Sequence, residues 1–189
     1  HSKRLRMPTK TWLYPHAHQN VLISLSSIRR RADRLILGLI WSLWGISLAV
    51  GYLNENVMQG AIVATALACL SSVLTLLFPG ALLLRLSSAF VLMAFSALLI
   101  HLGHGETEYH FSVFVLLSAL LAWRDWRPLL MGAAVIAIHH LVFNYLQEHD
   151  LYGVVVFMHT GFHMVVFHAL FVVVQTAILI LLAVRMEQD

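Results

Sequence analysis

The chain alternates between long runs of apolar residues and short polar intervals. An apolar run of about 20 residues is long enough to cross a bilayer as a helix, because the hydrocarbon core is about 30 Å thick and a helix rises about 1.5 Å per residue. Six such runs are predicted, at 35–53, 57–78, 81–102, 108–123, 128–147 and 154–184. The pattern therefore predicts an all-α, polytopic membrane bundle of six transmembrane helices.

The composition agrees with a membrane protein. Hydrophobic residues make up 60% of the chain and charged residues 11%, whereas a soluble domain carries roughly 25% charged residues. The single cysteine, Cys69, gives no disulfide framework and no cysteine-based metal site. Lipid is thus the expected surrounding of most of the chain.

The basic residues all lie on one side of a six-span arrangement. They precede the first span, flank the turns after the second and fourth spans, and close the sixth. The opposite loops carry only acidic charges: Glu55, Glu106, Glu108, Glu148 and Asp150. The positive-inside rule makes the basic side cytoplasmic, so both termini are expected inside (N-in/C-in). The net charge of +3 then needs no nucleic-acid partner.

Histidine is the feature that points to function. Nine of the twelve histidines fall between His101 and His168, in the outer half or near the mid-depth of the predicted spans. A polar ring in a bilayer costs free energy unless it has a partner, so intramembrane histidines are candidates for a functional site. Imidazole is also a common ligand of haem iron, copper and zinc.

The histidines fall into a deeper and an outer set. The deeper candidates for cofactor or metal binding are His110, His139, His140 and His168. The outer ones include His101, His104, His159 and His163, and the last two are four residues apart, which would place them on one helix face. Adjacent His139 and His140 point about 100° apart on a helix. They are expected to serve two separate sites, or to supply one ligand and one hydrogen-bonding residue.

Three ligands fit this pattern. Haem b, held by two axial histidines between apolar helices, is the first expectation, with one or two haems. Copper is the alternative and would use His159 and His163 with Met158 and Met164. Zinc would use His159 and His163 with Glu108. Residues expected to orient the ligands are Glu106, Glu108, Asn144, Tyr145 and His101.

Two segments, 105–147 and 163–176, carry a family resemblance. They resemble the membrane-embedded N-terminal region of a group of bacterial methyl-accepting chemotaxis receptors and diguanylate cyclases. The shared features are a histidine before a Phe-rich span, an RDWRP turn, a His-His pair followed by FNYLQ, and a later His-Ala. Here they fall on His110, residues 124–128, His139-His140 with Asn144 and Tyr145, and His168-Ala169.

The resemblance implies a sensory input module of the bacterial inner membrane that relays a redox or small-molecule signal. Residues 1–34 would be a cytoplasmic basic segment with an interfacial helix, 35–184 the sensor, and 185–189 the start of a signalling helix. That helix would lead to a cytoplasmic cyclase or chemoreceptor output domain, in a homodimer.

Other function classes are weighed against the sensor. The chain has no Ser-His-Asp arrangement, phosphate-binding loop or dinucleotide fingerprint, so it is expected not to be an enzyme itself. A b-type cytochrome subunit that exchanges electrons with quinone is a further alternative. A transporter would predict internal repeats, which the sequence does not show.

Overall fold

The computed structural model describes the backbone of residues 15–188 and the side chains from residue 24 onwards. This part of the chain contains helices and no strand, which confirms the all-α prediction. The elements are α1 (Pro15–Leu53), α2 (Val57–Leu77), α3 (Leu82–Leu102), α4 (Thr107–Ala119), a 3₁₀ turn (Leu120–Trp123), α5 (Trp126–Glu148) and α6 (Phe162–Gln188). All of these helices except α4 are long and apolar enough to cross a membrane. The chain is therefore a multi-pass membrane helical bundle.

Most predicted spans coincide with helices. Spans 57–78, 81–102 and 128–147 match α2, α3 and α5 within two residues at each end. The first span is the second half of α1, which continues without interruption from Pro15. Residues 1–14 of the predicted cytoplasmic segment, and residue 189 of the predicted signalling helix, lie outside the described residues.

The predicted span 154–184 is wrong at its start. The chain is not helical from residue 151 to residue 161, and α6 begins only at Phe162. Gly153 and Gly161 adopt positive φ angles of 63° and 157°, which favour a loop over a helix. This loop, called here the outer loop (residues 149–161), packs back onto the bundle.

Helix α3 is the centre of the bundle. In its most hydrophobic stretch 67% of the residues are buried, against 22–33% for the other long helices. On its flank, α2 packs on α1 through small residues spaced three or four apart: Gly60, Ala64, Ala68 and Ser71. A Cβ atom at Gly60 would lie 3.0 Å from the carbonyl oxygen of Ser47 in α1. Small side chains thus allow the two backbones to approach closely, as is common between membrane helices.

A buried charged network, called here the basal network, joins several elements at one end of the bundle. It consists of Asp33, Arg85, Trp123, Asp125 and Arg127. Asp33 accepts hydrogen bonds from the indole N–H of Trp123 (2.8 Å) and the backbone N–H of Gly80 (2.7 Å). Asp125 accepts from Arg85 Nε (3.0 Å) and Arg127 Nε (2.9 Å). The side chains of Arg85 and Asp125 are only 4% and 1% exposed, so this ion pair is shielded from solvent.

The electrostatics of Asp125 favour the charged carboxylate. Burial raises its pKa, but hydrogen bonds and positive charge from Arg127, and the charge of Arg85, outweigh burial and hold the pKa below its usual value. Asp125 therefore carries its negative charge at neutral pH, opposite the positive charges of Arg85 and Arg127.

The end of α6 is attached to the same region. Arg29 Nη2 pairs with Glu187 Oε1 at 2.8 Å, and its Nε donates to the carbonyl oxygen of Trp123 at 3.3 Å. Arg124 Nη1 donates to the carbonyl oxygen of Met186 at 3.2 Å. In the sequence these arginines served only as topology signals, whereas in the fold they also tie α6 to α1 and to the α4–α5 turn.

Candidate metal centre

Three histidines from three helices meet in the half of the bundle opposite the basal network. They are His110 of α4, His140 of α5 and His168 of α6, called here the histidine triad. One ring nitrogen from each lies within 4.8 Å of the other two. The ring centroids are 4.9 Å apart for His110 and His168 and 5.5 Å apart for the other two pairs. His110 and His140 are each 5% exposed and His168 is half-buried, so two of the three rings lie inside the protein and the third lies at its edge.

Each ring of the triad is held by its own helix. Nδ1 donates to the backbone carbonyl oxygen one turn earlier: His110 to Glu106 at 3.1 Å, His140 to Ile136 at 2.9 Å and His168 to Met164 at 2.8 Å. A carbonyl oxygen can only accept, so in each neutral ring the proton sits on Nδ1 and Nε2 keeps its lone pair. Metal-binding histidines characteristically have this outer hydrogen bond, which fixes both tautomer and ring orientation.

The three Nε2 lone pairs of the triad are acceptors, and a cation is a partner that such lone pairs can bind. His110 Nε2 is buried and accepts or donates no hydrogen bond of good geometry among the described residues, although the backbone of Val156 lies close enough to interact with this ring. Nitrogens bound to one ion at about 2.0 Å lie roughly 3.3–3.5 Å from one another. The ring nitrogens of the triad lie up to 4.8 Å apart, so binding of an ion would draw the three rings closer together. The triad can therefore supply three imidazole ligands to one small cation.

An aromatic ring from the outer loop covers the triad. Phe157 is 2% exposed and stacks parallel to His110, with centroids 5.7 Å apart and planes at 3°. Its ring is also 4.9 Å from that of His168 and 5.6 Å from that of His140. Phe157 thus separates the triad from the outer surface.

The position of Phe157 is set by a hydrogen-bond clamp from α5. Gln147 Oε1 accepts from the backbone N–H groups of Val156 (2.8 Å) and Phe157 (3.1 Å), and Gln147 Nε2 donates to the Phe157 carbonyl oxygen (2.7 Å). Gly105 lies against the same backbone with φ of 77°, and a Cβ there would be 2.5 Å from the carbonyl carbon of Phe157. Both Gln147 and Gly105 therefore determine how the cap sits.

Beside the triad is a small apolar cavity of about 60 Å³. Its remaining walls are Val113, Phe114, Ile136, Ala137, Val165, Ala169, Val172 and Val173. None of the described lining residues is a carboxylate. The space is that of about two water molecules in the liquid, enough for an ion with a small additional ligand.

His139 lies outside the triad, although its Nδ1 is 3.3 Å from His140 Nδ1. His139 packs against Phe143, with ring centroids 4.2 Å apart, and lines a groove between α3 and α5 together with His101. His101 donates and accepts within the protein, to Gln59 Oε1 at 3.0 Å and from the Val155 N–H at 3.1 Å. The two neighbouring histidines of α5 therefore serve different surfaces of that helix.

The outer candidates lie apart from the triad. His159 and His163 are exposed, and His159 belongs to the outer loop, so the expected shared helix face of this pair is wrong because α6 begins after His159. The side chains of Glu106 and Glu108 are also exposed. Glu106 acts on the triad only through its carbonyl oxygen.

Two further candidates have other positions. Asn144 is buried, and its Oδ1 accepts from the Gly161 N–H at 2.9 Å, which fixes the chain just before α6. Tyr145 is 57% exposed and packs against His149. Phe157 and Gln147 were not among the predicted site residues, because residues 154–157 were assigned to a helix. The glycines on either side, Gly153 and Gly161, were the signal for a loop.

Comparisons with protein-family models, curated proteins and solved structures find no match to this chain.

Proposed function

We propose that this chain is a transmembrane sensory input module in which His110, His140 and His168 bind a copper ion. The observation that carries the proposal is the convergence of three imidazoles, each with Nδ1 bonded to its own helix and Nε2 left to coordinate. The resemblance of residues 105–147 and 163–176 to receptor and cyclase input regions supports the sensory role.

Copper is favoured by charge and by ligand type. Three neutral imidazoles in apolar surroundings bring no negative charge to offset an ion. The cost of burying an ion rises with the square of its charge, so a divalent ion costs about four times as much as a monovalent one of the same size. Imidazole suits copper, zinc, iron and nickel, and copper is the one of these with an accessible monovalent state. Copper(I) on the triad is therefore the preferred species.

Haem b, the first expectation from the sequence, is the competing ligand. It needs two imidazoles on opposite faces of a flat macrocycle. The triad rings are already 4.9–5.5 Å apart, and the cavity beside them is about 60 Å³. Haem would thus require α4, α5 and α6 to separate, which makes a bare ion the better fit.

Six spans with both termini in the cytoplasm are part of the proposal. Arg85 near the start of α3 pairs with Asp125 just before α5, so α3 and α5 begin at the same end of the bundle. The chain must then cross back between them through α4 and the 3₁₀ turn. These elements together measure about 28 Å, close to the hydrocarbon thickness of about 30 Å. The positive-inside rule supports a cytoplasmic position for the basal-network end, where the basic residues lie.

Helix α6 is the proposed relay. It runs without a break from the triad at His168 to Gln188, a distance of about 30 Å, and its end is bonded to Arg29 and Arg124. Binding of an ion draws α4, α5 and α6 together at the triad, and a shift of α6 passes along the rigid helix. In a homodimer in the bacterial inner membrane, that shift would reach a cytoplasmic output domain.

Metal analysis of the purified protein tests the ligand. The protein is purified in detergent without chelator, and its copper, zinc and iron contents are measured beside its absorption spectrum. We expect about one copper per chain, lost in His110→Ala, His140→Ala and His168→Ala. The matched controls His159→Ala and His163→Ala keep it. A Soret band that disappears in the triad variants would replace copper by haem, and a metal-free, colourless protein would refute both.

Site-directed labelling tests the topology. Single cysteines are introduced at Asp150 and Arg124 in a Cys69→Ala background, and intact cells are treated with a membrane-impermeant maleimide. We expect labelling at position 150 and none at position 124 until the cells are opened. The opposite pattern, or labelling of both positions in intact cells, would contradict the N-in/C-in arrangement.

A further inference from the structure

A second and larger cavity lies on the other side of α5 from the triad. It is a groove of about 570 Å³ between α3 and α5. Its walls are mainly apolar and include Phe90, Ala97 and Ile138, with Gln59, His101 and His139 as its polar members. Phe90 and Ile138 are 45% and 62% exposed. Since both lie within long apolar helices, the groove opens to the lipid.

His139 is the one deeply buried polar side chain of this groove. It is 9% exposed, and its Nε2 has no hydrogen-bond partner among the described residues. A buried polar nitrogen without a partner is unfavourable. The groove therefore contains a buried ring nitrogen, His139 Nε2, that can form a hydrogen bond with a bound ligand.

The hydrogen bonds of the neighbouring ring determine which kind of atom that is. His140 Nδ1 donates its proton to the Ile136 carbonyl oxygen at 2.9 Å. His139 Nδ1 lies 3.3 Å from the same His140 Nδ1, so it can only accept from that N–H. The proton of neutral His139 is then on Nε2. The unpartnered atom is a donor, and the ligand must supply an acceptor.

This assignment also disfavours axial haem ligation in the groove, which would require the proton of His139 to move from Nε2 to Nδ1, against the N–H of His140. An axial ligand needs a lone pair, and His139 Nε2 carries a proton instead. His101 has both nitrogens engaged, with Nδ1 accepting from Val155 and Nε2 donating to Gln59. Two histidines line the groove, yet neither offers a free lone pair to iron.

We propose that the groove binds the ring of an isoprenoid quinone, whose carbonyl oxygen accepts the hydrogen bond from His139 Nε2. The ring is flat and apolar apart from its carbonyl groups, and it reaches the groove by diffusion within the bilayer. The volume lies within the usual range of small-molecule pockets, about 300–1,000 Å³. A phospholipid acyl chain fills the same apolar space but leaves the His139 donor unpaired. The proposal does not depend on which ion, if any, the triad holds.

The test is direct binding of decyl-ubiquinone to the purified protein in phosphatidylcholine nanodiscs, with decylbenzene as a probe that lacks the carbonyl groups. Two variants perturb the groove differently: His139→Phe removes the donor, and Ala97→Phe fills the floor while leaving His139 in place. The matched control, Ile178→Phe, adds the same ring to an exposed position of α6 outside the groove. Metal content and thermal unfolding are measured for every variant as readouts of folding.

We expect saturable binding of decyl-ubiquinone that weakens at least tenfold in both groove variants and is unchanged in Ile178→Phe. Decylbenzene should bind at least tenfold more weakly than the quinone. Absence of saturable quinone binding to the folded wild-type protein would overturn the proposal. So would equal affinity for the two probes, or full affinity in a folded His139→Phe variant, because either result would mean that the groove takes any apolar chain.

Discussion

Replacing Asp125 by Asn should lower the free energy of unfolding by about 3–5 kcal/mol, the usual cost of removing one partner from a buried ion pair. The carboxylate accepts hydrogen bonds from Arg85 Nε, from Arg127 Nε and Nη2, and from the Arg127 backbone N–H. Arg127 is 40% exposed, so water can replace much of its interaction. Arg85 is 4% exposed and cannot lose its proton. Most of the cost therefore comes from the stranded charge of Arg85.

The change is measured by reversible unfolding in mixed detergent micelles, followed through tryptophan fluorescence. Asp150→Asn is the matched control, since Asp150 is exposed and its positive φ of 52° is one that asparagine tolerates. Adding Arg85→Met to Asp125→Asn removes the stranded charge and should restore part of the lost stability. A loss below about 1 kcal/mol for Asp125→Asn, or no recovery in the double variant, would refute this account of the basal network.

Further predictions concern pH and the cap. The folded pKa of Asp125 lies below its ordinary value of 3.8. The stabilisation of the fold by the Asp125 carboxylate is therefore fully present above pH 3.8 and is lost as the pH falls through the folded pKa. The difference in melting temperature between the wild type and Asp125→Asn should shrink only below pH 3.8. Phe157→Ala should cost about 3–5 kcal/mol and speed copper transfer to an external chelator at least tenfold, and an unchanged rate would contradict the covering role. Gly105→Ala should act in the same direction because its Cβ meets Phe157, whereas Gly153→Ala, with φ of 63° and no neighbour within 4 Å, should leave the chelation rate unchanged.

The helices were largely predictable because the bilayer sets the length of an apolar run. The exception is the segment just before α6, which was predicted as part of a span. Residues 154–157 are as apolar as a span, and hydrophobicity alone cannot show that they turn back over the bundle. The conformations of Gly153 and Gly161, and the clamp from Gln147, make them a loop. Only packing against α5 reveals that clamp.

The sequence predicted a histidine site inside the bundle, but it did not predict which histidines form that site. Polar rings in an apolar chain identified His110, His140 and His168 as candidates, along with His139. Which of the adjacent pair joins the triad depends on the rotation of α5 about its own axis, which its packing against α3 and α6 determines. The basal network escaped prediction for a related reason. Single acidic residues such as Asp33 and Asp125, placed among arginines, look like surface charges until the fold buries them.

Each ring of the triad is bonded through Nδ1 to its own helix, which couples the orientation of the ring to that of the helix. A ring bonded to a carbonyl of its own helix cannot rotate freely, so its tilt follows the rotation of that helix. The electronic spectrum of an ion held by three such rings would record the relative orientation of three transmembrane segments. Copper(I) gives no electron paramagnetic resonance signal, so the ion would first be oxidised in the intact membranes, and the signal of copper(II) would then report these orientations. Changes at the far end of α6 could be followed through it without attaching a probe.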